Sequence, residues 1–369
     1  MVAIVQRLGL CFVEAKMRVR FSLATQFRFI FFNMQTEIIK ITDQNSKEIL
    51  NKAANIIKSG GLVVFPTETV YGLGANVFDE KALAKIFSAK GRPSDNPIIV
   101  HISEKNQLEE LVNNITENQK KLIETFWPGP LTIIFEKKDT ISNIVSGGLP
   151  TIAIRMPSNI FAQELIQLTG VPIAAPSANI SGRPSGTTGE HIYEELTGKV
   201  DMIIDAGFSD IGVESTVVKI NEEQALILRP GAITKEMLEK ILFPLAVIFA
   251  KDKNELQFSP GTKYRHYAPK AKLEIVSKKM EKRAETLKEE KLKIGIITTK
   301  QNQDFFREYK PNVFVLGDKN NLEEISQKLY DALRFFDTHP VDVILCQSFP
   351  KEGLGVAIMD RLERASTKY

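Results

Sequence analysis

The sequence is poor in cysteine, since its 369 residues include only Cys11 and Cys346, which stand far apart. No CxxC pair and no cluster of cysteine with histidine occurs, so neither a structural zinc site nor a disulfide framework is expected. Two isolated cysteines suit a reducing compartment, and we expect a cytoplasmic location. Long apolar runs are lacking too, because arginines interrupt the apolar patches of residues 1–33 and no other segment predicts a membrane span.

Several common enzymatic signatures are missing as well. The chain has no GxxxxGKS/T phosphate loop, no HExxH pair and no GxSxG turn. The GLG sequence at residues 72–74 lacks the remainder of a dinucleotide-binding fingerprint. No cluster of aspartate and glutamate predicts a metal site, and we expect the protein to have none. Any use of ATP therefore requires an unusual site.

The charge is distributed unevenly along the chain. The whole chain carries +3 at neutral pH and residues 1–33 carry +4, so the remainder carries −1. Such a body lacks the positive surface that holds nucleic acid, and we expect no strong direct nucleic-acid binding. The Arg-rich beginning fits either a targeting segment or an upstream extension that precedes a working start at Met34. In both cases we treat residues 1–35 as an N-terminal extension without stable structure.

Beyond this extension, helical and strand patterns alternate. Apolar residues at helical spacing predict a helix over Ser46–Lys58, and Asp79 is a typical N-cap for a helix that ends at Lys90. This mixture predicts one α/β domain over residues 36–241. Its strands are predicted from short apolar runs at 62–65, 98–102, 131–135, 151–155, 172–175, 217–220 and 225–228.

The pattern changes after residue 241. Residues 259–269 are dense in rings and cations but have neither helical nor strand periodicity, so we interpret 242–272 as a linker or lid. Residues 273–369 are predicted to form a second, smaller α/β domain with a mostly parallel sheet. Its strands are predicted at 294–298, 313–316 and 341–346, and its helices at 279–291 and 321–336.

Polar residues concentrate in six segments. Lys90 and Arg92 flank a glycine, and a compact cation beside a forked donor suits a polyphosphate. Strand alternation places Arg155 on one face with Thr151 and Ala153, where it suits a carboxylate or a phosphate. The segments are 66–74 (PTETVYGLG), 90–97 (KGRPSDNP), 127–132 (WPGPLT), 151–157 (TIAIRMP), 174–186 (AAPSANISGRPSG) and 212–218 (GVESTVV), the last followed by LRPG at 228–231.

Each segment also has a plainer interpretation. Segment 66–74 is typical of a glycine-rich turn, and Lys90 complements the dipole at a helix C-terminus. His101 alone is more often a hydrogen-bonded core histidine than a ligand. Arg155 could be solvated on an edge strand, and the small residues of 174–186 are typical of a surface loop. Singly, the segments do not decide between these alternatives.

Together and in this order, the segments resemble the YrdC-like family. PTETVYGLG, KGRPSDNPIIVHI, WPGPLT, PSANISGRPSG, ESTVV and LRPG match its pattern over about residues 38–241. SPGTKYRHYAP and GLGVAIMDRL are similar to the linker and the end of the second domain in the family's long, two-domain form. The resemblance implies a YrdC-like twisted-sheet α/β domain with a deep cleft, followed by a smaller C-terminal Rossmann-like α/β domain.

The resemblance also implies an activity. A nucleotidyltransferase of this kind makes L-threonylcarbamoyl-AMP from L-threonine, bicarbonate and ATP and releases pyrophosphate, with Mg²⁺ carried by ATP. The product is the donor for threonylcarbamoyladenosine in tRNAs that read ANN codons, which implies coupling to a tRNA threonylcarbamoyl transferase. Two alternatives stay open, a carbamoyl-transfer module and a non-catalytic double-stranded RNA-binding module. The second domain could stabilise the protein, regulate it or recruit the transferase that modifies tRNA.

Site residues are implied one by one. Arg155 would pair with the threonine carboxylate, and Lys90 and Arg92 would form the catalytic pair by neutralising charge on the phosphates. Tyr267 competes with Tyr264 for the nucleotide, and Glu68 is either a base or a loop stabiliser. The resemblance implies threonine binding by Tyr71, His101, Arg155, Ala175 and Ser215, and ATP binding by Arg92, Asn96, Thr151, Ser177, Ser185, Arg229 and Tyr264.

Overall fold

The computed structural model describes residues 35–260 and 266–366. The extension predicted over residues 1–35 therefore lies outside the described residues apart from Gln35, and so does Tyr264. Within the described part of the chain, no helix is both long enough and apolar enough to cross a membrane. The described residues form two sheets, each covered by helices.

The larger sheet mixes parallel and antiparallel neighbours, in the order β1-β8-β2-β3-β7-β4-β6-β5-β9-β10-β11. Its strands are β1 (Glu37–Lys40), β2 (Val63–Phe65), β3 (Gly72–Asn76), β4 (Ile99–His101), β5 (Leu131–Glu136), β6 (Thr151–Arg155), β7 (Ile173–Ala174), β8 (Met202–Asp205), β9 (Thr216–Ile220), β10 (Gln224–Arg229) and β11 (Ala246–Phe249). Its helices are α1 (Ser46–Lys58), α2 (Glu80–Lys90), α3 (Leu108–Leu111), α4 (Glu117–Phe126), α5 (Asn143–Ser146), α6 (Ile160–Thr169), α7 (Gly189–Leu196), α8 (Lys235–Leu242) and α9 (Lys253–Leu256).

The smaller sheet is parallel throughout, as the strand–helix alternation predicted, and has the order β12-β15-β13-β14. A parallel sheet needs cover on both faces, and helices supply it. The strands are β12 (Lys272–Val276), β13 (Ile294–Thr298), β14 (Val313–Val315) and β15 (Val343–Gln347), and the helices are α10 (Met280–Glu289), α11 (Leu322–Thr338) and α12 (Leu354–Ser366).

Helix α2 presents the predicted phosphate-binding segment to the interior. The Asp79 carboxylate caps its N-terminus by accepting hydrogen bonds from the backbone N–H groups of Lys81 and Ala82. Gly91 ends the helix with φ of 60°, a left-handed conformation that glycine adopts without strain. This stop turns the chain sharply between Lys90 and Arg92, and the two cations consequently point to different surroundings.

Strand β3 lies where the sequence predicted a glycine-rich turn. It pairs antiparallel with both β2 and β7, so part of the segment 66–74 belongs to the sheet. A Cβ atom at Gly74 would lie 2.8 Å from the Phe65 ring and 2.9 Å from the Ile173 side chain. The glycine is required by this close packing, whereas in the sequence it reads as a strand breaker.

One strand of the larger sheet lies beyond the predicted end of the first domain. Strand β11 pairs in parallel with β10 and so belongs to the larger sheet, although it lies beyond the predicted boundary at residue 241. Alternate residues of β11 are exposed, as expected for an edge strand, and the short apolar run Ala246–Phe249 was too weak a signal to separate from the linker. The connection between the sheets therefore begins after Phe249.

Candidate active site

A partly open cavity of about 50 Å³ lies beside the larger sheet. The loops after β2 and β7, the ends of β4, β6 and β10, and both sides of the domain connection surround it. Eight predicted site residues line this cavity, namely Tyr71, Arg92, His101, Arg155, Ala175, Ser177, Ser215 and Arg229.

Strand pairing explains why His101 and Arg155 meet. Strands β4 and β6 are parallel neighbours with His101 directly opposite Arg155. Cross-strand partners project to the same face of a sheet, so both side chains reach the cavity. Ala153, two residues before Arg155, lies on the same face and packs in a small apolar cluster with Ile99 and Ile134.

Arg155 is buried and is held by partners from several segments. Its guanidinium donates from Nη1 to the Thr69 hydroxyl at 2.7 Å and from Nε to the Gly129 carbonyl at 3.2 Å. Nη2 lies 2.7 Å from Glu68 Oε1, which also accepts the backbone N–H of Ser158. Burial raises the pKa of the Glu68 carboxyl, but the Arg155 charge and these hydrogen bonds outweigh it and lower the pKa overall. Glu68 therefore holds Arg155 as an ionised partner.

His101 is a neutral imidazole in this environment. Burial and, to a lesser extent, the positive charge of Arg155 lower its pKa to about 3. The edge of its ring meets Phe65, with centroids 6.1 Å apart and planes at 90°. Because it carries no charge, His101 can contribute shape and one polar contact to the cavity without repelling a substrate ammonium group.

Arg229 connects the cavity floor to the domain connection. Its Nε donates to the Ser215 carbonyl and its Nη2 to the Ser215 hydroxyl, both at 3.1 Å. Its Nη1 donates to the Pro260 carbonyl at 3.2 Å. The Ser215 hydroxyl also lies 2.8 Å from the Thr132 hydroxyl, so the charged side chain and the serine are fixed together.

Arg92 and Asn96 are neighbours, but Asn96 lies outside the lining of the cavity. Arg92 lines the cavity and donates from Nη2 to the carbonyls of Asn96 and Pro97, at 3.3 and 2.8 Å. The Asn96 side chain is buried, yet neither its Nδ2 nor its Oδ1 has a hydrogen-bond partner among the described residues. Buried amides are nearly always hydrogen-bonded, so these atoms indicate a place for water or a ligand.

Two family models match consecutive parts of the chain. Residues 55–231 match the Sua5, YciO and YrdC family, described as telomere recombination, and residues 233–367 match the C-terminal domain of threonylcarbamoyl-AMP synthase. The threonylcarbamoyl-AMP synthase of Pyrococcus abyssi is 43% identical over 341 residues, which cover 90% of this chain and 98% of that protein. This chain belongs to the Sua5 family of threonylcarbamoyl-AMP synthases.

Other members of the Sua5 family match at similar length. The threonylcarbamoyl-AMP synthase of Bacillus subtilis is 44% identical over 337 residues, covering 89% of this chain and 96% of that protein. The crystal structure of Pyrococcus abyssi Sua5 complexed with L-threonine aligns with a TM-score of 0.83 at 43% identity, covering 90% of this chain and 98% of that one. A variant of that Sua5, with alanine in place of a histidine and the following tyrosine, aligns equally well, with a TM-score of 0.83.

Lys90 does not occupy the position expected of a catalytic residue. Its ammonium group is buried and donates to the carbonyls of Ser177 and Asn179, each at 2.5 Å, and it does not line the cavity. Burial lowers its pKa, with a further contribution from the Arg92 charge. The left-handed turn at Gly91 directs Lys90 behind the loop after β7, where it supports the loop from outside the cavity.

Replacing Lys90 by methionine should therefore affect stability first. We expect Lys90→Met to lower the free energy of unfolding by about 2–3 kcal/mol, because two buried carbonyls lose a charged donor. Urea denaturation measures this loss, and Lys85→Met is the control, since Lys85 of the same helix donates to the Gly60 carbonyl from an exposed position. A Lys90→Met protein that is as stable as wild type but inactive would restore the catalytic assignment.

Three other predicted residues also differ from expectation. Thr151 begins β6 and lines a separate cavity of about 570 Å³ with Lys219 and Phe258, so it is not brought together with Arg155 at the opposite end of the strand. Ser185 is buried outside the lining, and its hydroxyl donates to Glu214. Tyr71 lines the cavity, but its hydroxyl is turned away, donating to the Gly207 carbonyl at 2.7 Å.

The sequence gave no definite role to several residues in and around the cavity. Glu214 was part of the ESTVV segment without a role, although it is a lone acidic residue in a site rich in arginine. Thr69 and Glu68 act through Arg155, which only the structure reveals. His266 and Tyr267 line the cavity from the domain connection, so Tyr267 is one linker tyrosine that reaches the site, and Tyr264 is outside the described residues.

Proposed function

We propose that this protein is a nucleotidyltransferase that makes L-threonylcarbamoyl-AMP from L-threonine, bicarbonate and ATP and releases pyrophosphate. The observation that carries the proposal is the convergence of Arg92, Arg155 and Arg229 on one cavity with a neutral His101. Buried guanidinium groups are forked donors suited to carboxylates and phosphates, and both substrates are anions. The relatives that match over nearly their full length carry the same activity in their names.

The threonine end of the site is proposed to lie around Arg155. The guanidinium is held by Glu68 and Thr69 and would take the substrate carboxylate on the side that faces the cavity. Ala175 and the Ser215 hydroxyl line the same space and suit a small side chain with one hydroxyl. The Pyrococcus abyssi relative binds L-threonine, which supports a threonine site in this chain.

The proposed reaction needs positioning more than covalent help. The threonine amine adds to bicarbonate-derived CO2 and loses a proton to water, which gives a carbamate. A carbamate oxygen then attacks the α-phosphorus of ATP, a new P–O bond forms, and the P–O bond to pyrophosphate breaks. Arg92 and Arg229 would neutralise charge on the phosphates, an electrostatic contribution that is worth most in an enclosed site.

Magnesium is proposed to enter with ATP as part of that substrate. Among the described residues, no group of three or more histidine, cysteine, aspartate or glutamate side chains is arranged to hold a metal ion. The triphosphate itself supplies the oxygen ligands that Mg²⁺ prefers. No protein residue is therefore assigned to the ion.

The domain connection is proposed to act as a lid. Pro260, His266 and Tyr267 of this connection line the cavity and would move aside as the nucleotide enters. A closed lid excludes water, which protects a carbamoyl-adenylate that hydrolyses readily.

The product is proposed to pass to a tRNA threonylcarbamoyl transferase in the cytoplasm. The alternative of a carbamoyl-transfer module is weaker. Such modules lie within larger proteins that contain zinc-finger regions, whereas this sequence has no CxxC pair and no cluster of cysteine with histidine. The alternative of a double-stranded RNA-binding module is disfavoured by the charge of −1 on residues 34–369.

The deciding experiment measures pyrophosphate release by the full chain with ATP, Mg²⁺, bicarbonate and L-threonine. We expect release that depends on both threonine and bicarbonate and that falls strongly when serine replaces threonine. No threonine-dependent release from a folded protein would contradict the proposal. Carbamoyl phosphate would then be tested as substrate, and a salt titration of RNA binding would test the RNA-binding alternative.

A further inference from the structure

The second domain reaches the cavity through Glu214. This buried carboxylate lines the cavity immediately before Ser215. Its Oε1 accepts the hydroxyl of Ser185 from the loop after β7. Its Oε2 accepts two donors from the second domain, the Tyr330 hydroxyl at 2.8 Å and the Arg361 Nε at 2.7 Å. Donors from both domains therefore fix one cavity-lining side chain.

Arg361 joins two segments of the first domain. Its side chain is completely buried, and besides Glu214 its Nη2 donates to the Pro230 carbonyl at 2.9 Å. Glu214 directly precedes Ser215, and Pro230 directly follows Arg229. The Arg361 guanidinium therefore contacts the chain neighbour of each residue in the Arg229–Ser215 pair. The Asp360 carboxylate accepts a hydrogen bond from Arg361 Nη1 at 2.6 Å.

The same two side chains also hold the lid. Tyr267 stacks on Tyr330, with ring centroids 5.4 Å apart and planes at 25°. The Arg361 guanidinium lies 5.4 Å from the centre of the Tyr267 ring, within cation–π range. Tyr267 itself lines the cavity. Tyr330 and Arg361 thus contact both Glu214 in the wall of the cavity and Tyr267 of the proposed lid.

We infer that Tyr330 and Arg361 are positioning residues for ATP binding, which act through Glu214 and Tyr267, and that the second domain is thereby a structural part of the active site. The inference rests on the proposed function for the identity of the nucleotide. The Ser185 hydroxyl donates its hydrogen bond to Glu214. It therefore fixes the loop 177–186 and does not donate to phosphate. When Glu214 loses a donor from the second domain, both that loop and the Ser215–Arg229 pair lose their fixed position.

Tyr330→Phe is the informative variant, because it removes one hydrogen bond to Glu214 and keeps the ring that stacks on Tyr267. Replacing Arg361 by an uncharged residue would leave Glu214 buried without its cation and destabilise the fold itself. Ser326→Ala is the matched control. Ser326 lies on the same helix and donates across the same domain interface, also at 2.8 Å, but to the Ile211 carbonyl.

The primary readout is the Kd for ATP, measured by calorimetry on the full-length chain. We expect Tyr330→Phe to raise the Kd about fivefold, because a hydrogen bond to a charged group is lost, and Ser326→Ala to change it less than twofold. In the steady state the KM for ATP should rise in proportion to the Kd. Unchanged ATP binding in Tyr330→Phe, or an equal loss in Ser326→Ala, would overturn the inference.

A double-mutant cycle with Ser185→Ala tests the route through Glu214. If Tyr330 acts on ATP through Glu214 and Ser185, the double variant should bind ATP about as weakly as the weaker single variant. Fully additive losses would overturn that route. Binding is measured without turnover, so a wild-type protein that binds ATP but releases no threonine-dependent pyrophosphate would contradict the proposed function and leave the test intact. A wild-type protein that does not bind ATP would overturn the inference.

Discussion

Arg155→Lys should lower kcat/KM for threonine by about 100-fold and leave the KM for ATP nearly unchanged, because a lysine carries the charge but not the planar fork. Arg155 meets Glu68, Thr69 and Gly129 in three directions, which fixes the face that remains for a substrate carboxylate. A lysine ammonium at this position would pair with Glu68 and could not hold the carboxylate in two places. Initial rates of pyrophosphate release at varied threonine measure the effect.

The choice of lysine matters for this test. An apolar residue at position 155 would leave Glu68 as a buried, uncompensated carboxylate and destabilise the protein by about 3–5 kcal/mol. Loss of activity would then report unfolding. Arg283→Lys is a suitable control, because it makes the same exchange in a partly exposed ion pair with Glu274 of the second domain. Equal losses of kcat/KM for ATP and for threonine would contradict the assignment of Arg155 to the threonine carboxylate.

The helices and strands that depend on a local pattern of apolar residues were predicted from the sequence. The strands at 151–155 and 294–298 have the bounds that alternation and apolar runs indicated. The helix Ser46–Lys58 and the N-cap at Asp79 were also predicted correctly. The shared face of Thr151, Ala153 and Arg155 was read correctly as well, although the two ends of that face belong to different cavities.

Contacts between distant segments determined what the sequence could not show. Lys90 looked like a phosphate ligand because its partners, the carbonyls of Ser177 and Asn179, lie almost 90 positions later in the chain. Glu214 had no visible role because Tyr330 and Arg361 come from the other domain. Side-chain direction at such positions depends on tertiary packing, and the resemblance could identify the segments of the site without the direction in which each residue points.

The linker histidine carries the second large effect. His266 lines the cavity, and its Nε2 has no hydrogen-bond partner among the described residues although the side chain is buried. Burial and the neighbouring Arg92 charge lower its pKa to about 3, so it is neutral at working pH and can form a hydrogen bond with a ligand in the cavity. We expect His266→Ala to lower kcat by about 100-fold, because an enclosed hydrogen bond to the reacting groups is lost and water enters through the lid.

Stability separates this effect from simple disruption of the linker. His266 lines the cavity, and its Nε2 makes no hydrogen bond among the described residues that the substitution would break. The free energy of unfolding of His266→Ala, measured by urea denaturation, should therefore stay within about 1–2 kcal/mol of wild type, since one buried side chain is truncated at the edge of the cavity. Gln257→Ala is the control, because the exposed Gln257 side chain bonds only to the nearby Asn254 carbonyl. A His266→Ala protein with wild-type turnover would show that the lid closes the site without a polar contact from His266.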